Sequence, residues 1–88
     1  MQLKSLWKNN MKELLEYILK EITKDNSILV TEDVDDNFSK LTIFAPKELM
    51  GIIIGKEGRI IKAIRNLLKV RATLEKKGVN VSVEEKTS

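Results

Sequence analysis

The stretch from Gly51 to Arg71, GIIIGKEGRIIKAIRNLLKVR, decides how this chain is read. Glycines at both ends of the four-residue segment Gly55-Lys56-Glu57-Gly58 permit positive φ and remove side chains that would hold a ligand off the backbone. The segment leads straight into a predicted helix, whose first-turn N–H groups and dipole favour phosphate oxygens. Lys56 and Arg59 add positive charge at that point. At about 100° per residue, Arg59, Lys62, Arg65 and Lys69 fall within one arc of about 120°, and Ile60, Ile61, Ile64, Leu67 and Leu68 fall on the opposite arc. An apolar stripe backed by a basic stripe that starts at a glycine turn suits the tracking of a phosphate backbone. Taken alone, the basic stripe would serve equally well as a solvated helix face.

The charge distribution points the same way. Met1 to Ala45 carries six Lys against eight Asp or Glu, whereas Pro46 to Ser88 carries ten Lys or Arg against five acids. Between Lys56 and Arg71 six basic residues accompany one acid, Glu57. A field concentrated in this way attracts an anionic partner.

Outward from the glycine turn, the rest of the chain reads as one small α+β domain. Met11, Leu14, Leu15, Ile18, Leu19 and Ile22 recur at helical spacing, with Asn10 placed to cap the helix and Glu13 to close a capping box. Leu3, Leu6 and Trp7 continue that spacing upstream, and Lys24 to Ser27 ends the helix. Ile28 to Glu32 and Lys40 to Ala45 read as strands joined by a polar hairpin turn from Asp33 to Ser39. Pro46 fits the first position of a short helix running from Lys47 to Ile53. A third helix spans Arg59 to about Ala72, Thr73 to Gly78 forms a polar loop, and Val79, Val81 and Val83 mark a half-buried last strand. The predicted order is α-β-β-α-α-β, which suits helices laid on one face of a three-stranded sheet. Residues 1–10 are read as an N-terminal extension that is part of the first helix or leads into it, 11–85 as the domain and 86–88 as a tail.

Composition excludes several classes of function. Cysteine and histidine are both absent, which removes disulfides, the usual zinc ligands and the commonest acid–base residue. An enzyme is not excluded by composition, but it would have to run on carboxylates, lysines or a borrowed metal. No run approaches the ~20 apolar residues of a membrane span, and the N-terminus lacks a signal-peptide core, so a cytoplasmic location is expected. A Walker A loop fails, because three residues separate Gly51 from Gly55 and Glu57 follows Lys56. Gly51 and Gly55 spell G-x-x-x-G outside any apolar span, so membrane dimerisation does not apply. Asp33, Asp35 and Asn37 imitate a calcium loop, but Phe38 stands where glycine is required and Phe44 where the closing Glu belongs.

Ile54-Gly55-Lys56-Glu57-Gly58-Arg59, followed by Ile60 to Arg65, resembles the I-G-x-x-G-[KR]-x-I-x-x-[IL] signature of KH domains. The element order matches their type II arrangement. The likeness extends to small bacterial single-KH proteins of the KhpA/YlqC type through the Met11 to Ile18 helix and the run from Ala45 to Arg59, and covers about Met11 to Glu85. The resemblance implies a three-stranded mixed sheet with three helices on one face. It also implies binding of single-stranded RNA, about four nucleotides held with the G-x-x-G loop on the backbone. On that reading no metal site, cofactor, catalysis or small-molecule substrate is expected.

Carried onto this chain, Gly55, Lys56, Glu57 and Gly58 would form the clamp, with Arg59, Lys62, Arg65 and Lys69 as basic contacts. Ile53, Ile54, Ile61 and Ile64 would floor the groove, although each of these isoleucines also suits an ordinary core. The Val79 to Val83 strand, Val81 included, would offer edge contacts, and Thr73 to Gly78 would be the family's variable loop. The resemblance further implies a role as RNA chaperone or post-transcriptional regulator, and pairing with itself or with a second KH-containing RNA-binding protein. Glu57 departs from the pattern by placing an acid where relatives often carry a neutral residue.

Two rival readings remain at this point. The short and long helices could form a helix-turn-helix that reads duplex DNA, though the flanking strands argue against it. A degenerate KH fold could serve protein contacts alone, with Phe44, Trp7 and Leu3 as its surface.

Overall fold

In the first helix, apolar residues three and four positions apart give one face that must be covered, and strands with alternating side chains supply the cover. The computed structural model describes residues 11–86. Helix α1 (Met11–Thr23) is followed by strands β1 (Leu29–Asp35) and β2 (Phe38–Ala45). Helix α2 (Lys47–Ile54), a single 3₁₀ turn (Lys56–Gly58), helix α3 (Arg59–Leu74) and strand β3 (Gly78–Glu85) complete the fold. The order is the predicted α-β-β-α-α-β. The Asn10 cap, the upstream continuation through Leu3, Leu6 and Trp7, and most of the tail lie outside the described residues.

Met11, Leu15 and Leu19 carry the buried face of α1, while Ile22 in its last turn is exposed. The helix stops where Lys24 turns to φ 55°, with its N–H still bonded to the Lys20 carbonyl at 2.8 Å. The Ser27 N–H then donates to Asp25 Oδ1 at 2.7 Å, and hydrogen bonding from Ser27 holds the Asp25 carboxyl below its ordinary range.

The hairpin is tighter and its strands longer than the sequence suggests. Asp35 pairs with Phe38, so only Asp36 and Asn37 form the turn, with Asp36 at φ 56°. The polarity of the acidic residues from Asp33 onward suggests a turn. On an edge strand open to solvent they cost little, and Asp33 lies opposite Lys40.

Strand order is β1-β2-β3, with β1 antiparallel and β3 parallel to the central β2. The sheet is therefore mixed, as the type II arrangement requires. A parallel neighbour needs a long crossover, which α2 and α3 provide. Leu41, Ile43 and Ala45 of β2 are fully buried together with Val30 and Val81. They meet Leu15, Leu19, Ile53, Ile64 and Leu68 in one core under the helices. Two helices embedded in this α+β core do not make an all-helical reader of duplex DNA.

Pro46, with φ −62° and ψ 154°, is the cap of α2 rather than its first residue. Helix α3 runs two residues past the predicted end. Lys76 adopts φ 57°, its N–H bonds the Thr73 carbonyl, and the Lys77 N–H bonds the Ala72 carbonyl, a Schellman closure with lysine where glycine is usual. Arg71 Nε donates to Glu75 Oε2 across the same end and lowers the Glu75 carboxyl below its usual range. Leu67 corrects the predicted apolar arc: it is 49% exposed, because α3 turns only its Ile61, Ile64, Leu68 and Ala72 side inward.

Candidate nucleic-acid interface

The G-x-x-G segment is a tight corner between α2 and α3. The Gly55 N–H closes α2 on the Gly51 carbonyl at 2.8 Å, and the Gly58 N–H returns to the Gly55 carbonyl at 3.1 Å. Gly55 has φ 75° and ψ 173°, a combination that is essentially glycine-only. Glu57 (φ 57°) and Gly58 (φ 74°) follow in the left-handed region. These turns present Lys56 and Glu57 outward, both exposed. Glu57 Oε1 lies 3.8 Å from Arg59 Nη2, both side chains well solvated. An exposed pair at that distance contributes little to stability.

From the corner a groove runs between α3 and the outer strand. Lys62, Arg65, Asn66 and Lys69 on α3 face Val79, Asn80 and Val81 on β3 across a space of about 470 Å³. Lys62 begins this wall beside the glycine turn: its Cε lies 3.9 Å from where a Cβ on Gly58 would stand. No carboxylate among the described residues lines the groove. Among the described residues, no ion pair neutralises Lys56, Lys62, Arg65 or Lys69.

The structure brings together the loop, three members of the basic stripe and Val81. It does not bring the isoleucines with them. Ile53 is completely buried, and Ile61 and Ile64 are 6% and 3% exposed, so their side chains serve the core. Ile54 alone of the four is half-buried. Their clustering follows from the short α2 and the start of α3 packing side by side over the sheet. Asn66 and Asn80 were not singled out by the sequence reading. Asn66 carried a signal, since it lies on the same arc as Lys62 and Lys69 at helical spacing, whereas Asn80 carried none.

Among the described residues no group of acidic, histidine or cysteine side chains could hold a metal ion. No described helix is long and apolar enough to cross a membrane. The model of the KhpA/KhpB KH domain matches residues 12–84. The chain belongs to the KhpA/KhpB KH-domain family. The KhpA/KhpB match begins one residue into α1 and ends one residue short of the end of β3, and so takes in every element of the described fold but its outermost residues.

An RNA-binding protein KhpA from Clostridium perfringens is 40% identical over 74 residues, 83% of this chain and 99% of that one. Its counterpart from Chlamydia trachomatis is 38% identical over 76 residues, 85% and 97% of the two chains. Among solved structures, Era of Aquifex aeolicus shares 22% identity at a TM-score of 0.48, over 92% of this chain and 33% of that one.

Proposed function

We propose that this chain binds single-stranded RNA, with the Gly55–Gly58 corner on the backbone and the adjoining groove along the bases. The observation that carries this reading is a glycine corner that opens into a groove lined by Lys62, Arg65 and Lys69 and, among the described residues, by no carboxylate. The relatives' names as RNA-binding proteins support it. On this reading Lys56, Arg59, Lys62 and Lys69 supply sequence-independent attraction. Contacts to the bases fall to the groove walls and to the accessible part of Ile54, not to the buried isoleucines. The protein then acts in the cytoplasm as an RNA chaperone or post-transcriptional regulator, and no catalytic step is assigned to it.

A comparison of one single-stranded RNA with duplex DNA of the same sequence, at two salt concentrations, tests the reading. RNA should bind more tightly, and Lys62→Ala should lower the log K against log salt slope by about 0.7. Preference for the duplex would support the DNA reading, and no binding to either would leave a domain for protein contacts.

Glu57 modulates the loop. Its carboxylate opposes phosphate and draws on Arg59, so Glu57→Gln raises the net charge of the corner by one. The expected result is a several-fold gain in RNA affinity at low salt that shrinks as salt rises. Titrations of both proteins with one RNA measure it, and a loss of affinity would place the Glu57 carboxylate away from the phosphates.

Self-association is the second part of the reading. Leu67, Val70 and Leu74 are 49%, 58% and 68% exposed, and with Ala63 they form a stripe at alternating spacings of four and three along α3. That is the seam spacing of paired helices, and a second copy laid antiparallel about its midpoint matches it. Leu67→Lys should convert a dimer into a monomer in sedimentation equilibrium and leave the melting transition of the fold in place. A wild-type monomer at all concentrations would refute the self-pairing and leave a second KH-containing protein as the partner for this stripe.

A further inference from the structure

Arg65 departs from the basic stripe in which the helical period places it. Its Nε donates to the Val81 carbonyl at 3.0 Å, so the side chain bridges the groove from α3 to β3. Among the described residues, strand β3 is a sheet edge with no neighbour beyond it. A bare edge carbonyl is a hydrogen-bond acceptor and would favour bases that present an amino group. Here the guanidinium stands on that carbonyl and replaces an acceptor with donors. With Nε engaged, the remaining N–H groups on Nη1 and Nη2 form an end-on fork. The anchor holds the fork in place in advance, which reduces the entropy lost when it binds a ligand. Among the described residues no carboxylate pairs with Arg65, and Asn66 and Asn80 share its groove.

We infer that Arg65 is a base-reading residue that selects guanine, whose O6 and N7 are adjacent acceptors matched to such a fork. The inference rests on the proposed binding of single-stranded RNA. Adenine places its N6 amino group beside N7, so one donor of the fork would meet another donor. Uracil separates its two carbonyls by an N–H. Cytosine offers N3 and O2 to the same fork but has one amino group left. Guanine additionally presents N1–H and an amino group, which the amide oxygens of Asn66 and Asn80 in the same groove can accept. A space of about 470 Å³ admits the larger base.

The test uses the full chain and four fluorescein-labelled uridine octamers that differ at one central position, which is G, A, C or U. Fluorescence anisotropy should show the guanine octamer binding about tenfold more tightly than the all-uridine one. Arg65→Lys keeps the charge and removes the fork, so the preference should fall below about twofold with affinity for the all-uridine octamer nearly unchanged. Equal affinities for the four octamers, a preference for cytosine, or a guanine preference that survives Arg65→Lys would each overturn the inference. So would an Arg65→Ala variant that weakens all four equally and lowers the salt slope by about 0.7, which marks a phosphate contact. Failure of every octamer to bind would remove the RNA reading itself, and the base-reading role with it.

Discussion

Gly55→Ala is expected to destabilise the domain by about 2–5 kcal/mol, the combined scale of backbone strain and overpacking. Two independent obstacles meet at this residue. Its φ of 75° with ψ of 173° lies in a region that side chains exclude. A Cβ built there would stand 2.6 Å from Ile60 Cγ1 and 2.9 Å from both Ile60 Cβ and Cδ1. Ile60 is β-branched and half-buried in the first turn of α3, so its Cβ cannot swing aside without moving the helix.

Gly58→Ala is the internal control. Gly58 also has positive φ, at 74°, but a Cβ there would meet nothing nearer than Lys62 Cε at 3.9 Å. The expected cost is about 1 kcal/mol, the left-handed backbone term alone. Urea unfolding of both variants measures the difference. Equal losses would show that the contact with Ile60 does not limit position 55.

The largest effect on binding is expected from Lys56→Asp combined with Glu57→Asp. The pair changes the corner from electrically balanced to two negative charges, at the place where phosphates would lie. Two units of charge a few ångströms from a phosphate in high dielectric amount to about 2 kcal/mol, or some thirtyfold in affinity at low salt. The fold should persist. Both residues are exposed, and aspartate tolerates the left-handed conformation at position 57 better than most residues do. Gel-shift titration and a thermal melt, run together, check both halves. Unchanged affinity in a folded variant would sink the clamp.

Local patterning carried most of the fold in advance. The spacing of Met11, Leu15 and Leu19, the alternation of Leu41, Ile43 and Ala45, and the paired glycines 55 and 58 each report a conformation set by near neighbours. Every element they implied is present. Boundaries were less legible, because polarity is an ambiguous signal at a sheet edge. Asp33 and Asp35 extend β1 instead of turning, and Lys76 ends α3 without the usual glycine. The direction of β3 was supplied by resemblance and not by any residue of that strand.

For the site, the sequence by itself determined the corner, its conformational need for glycine and the charge of the helix that leaves it. Those properties lie within a few bonds of the residues concerned. Only the tertiary structure decided which face of α3 is covered, and hence that Ile61 and Ile64 belong to the core while Leu67 belongs to solvent. Helical angle ranks these residues on an arc but cannot say where the neighbouring helix and sheet end. The structure alone also separated Arg65 from Lys62 and Lys69. The Val81 carbonyl that anchors it is 16 residues away in the chain and comes within reach only because β3 returns parallel to β2 beneath α3.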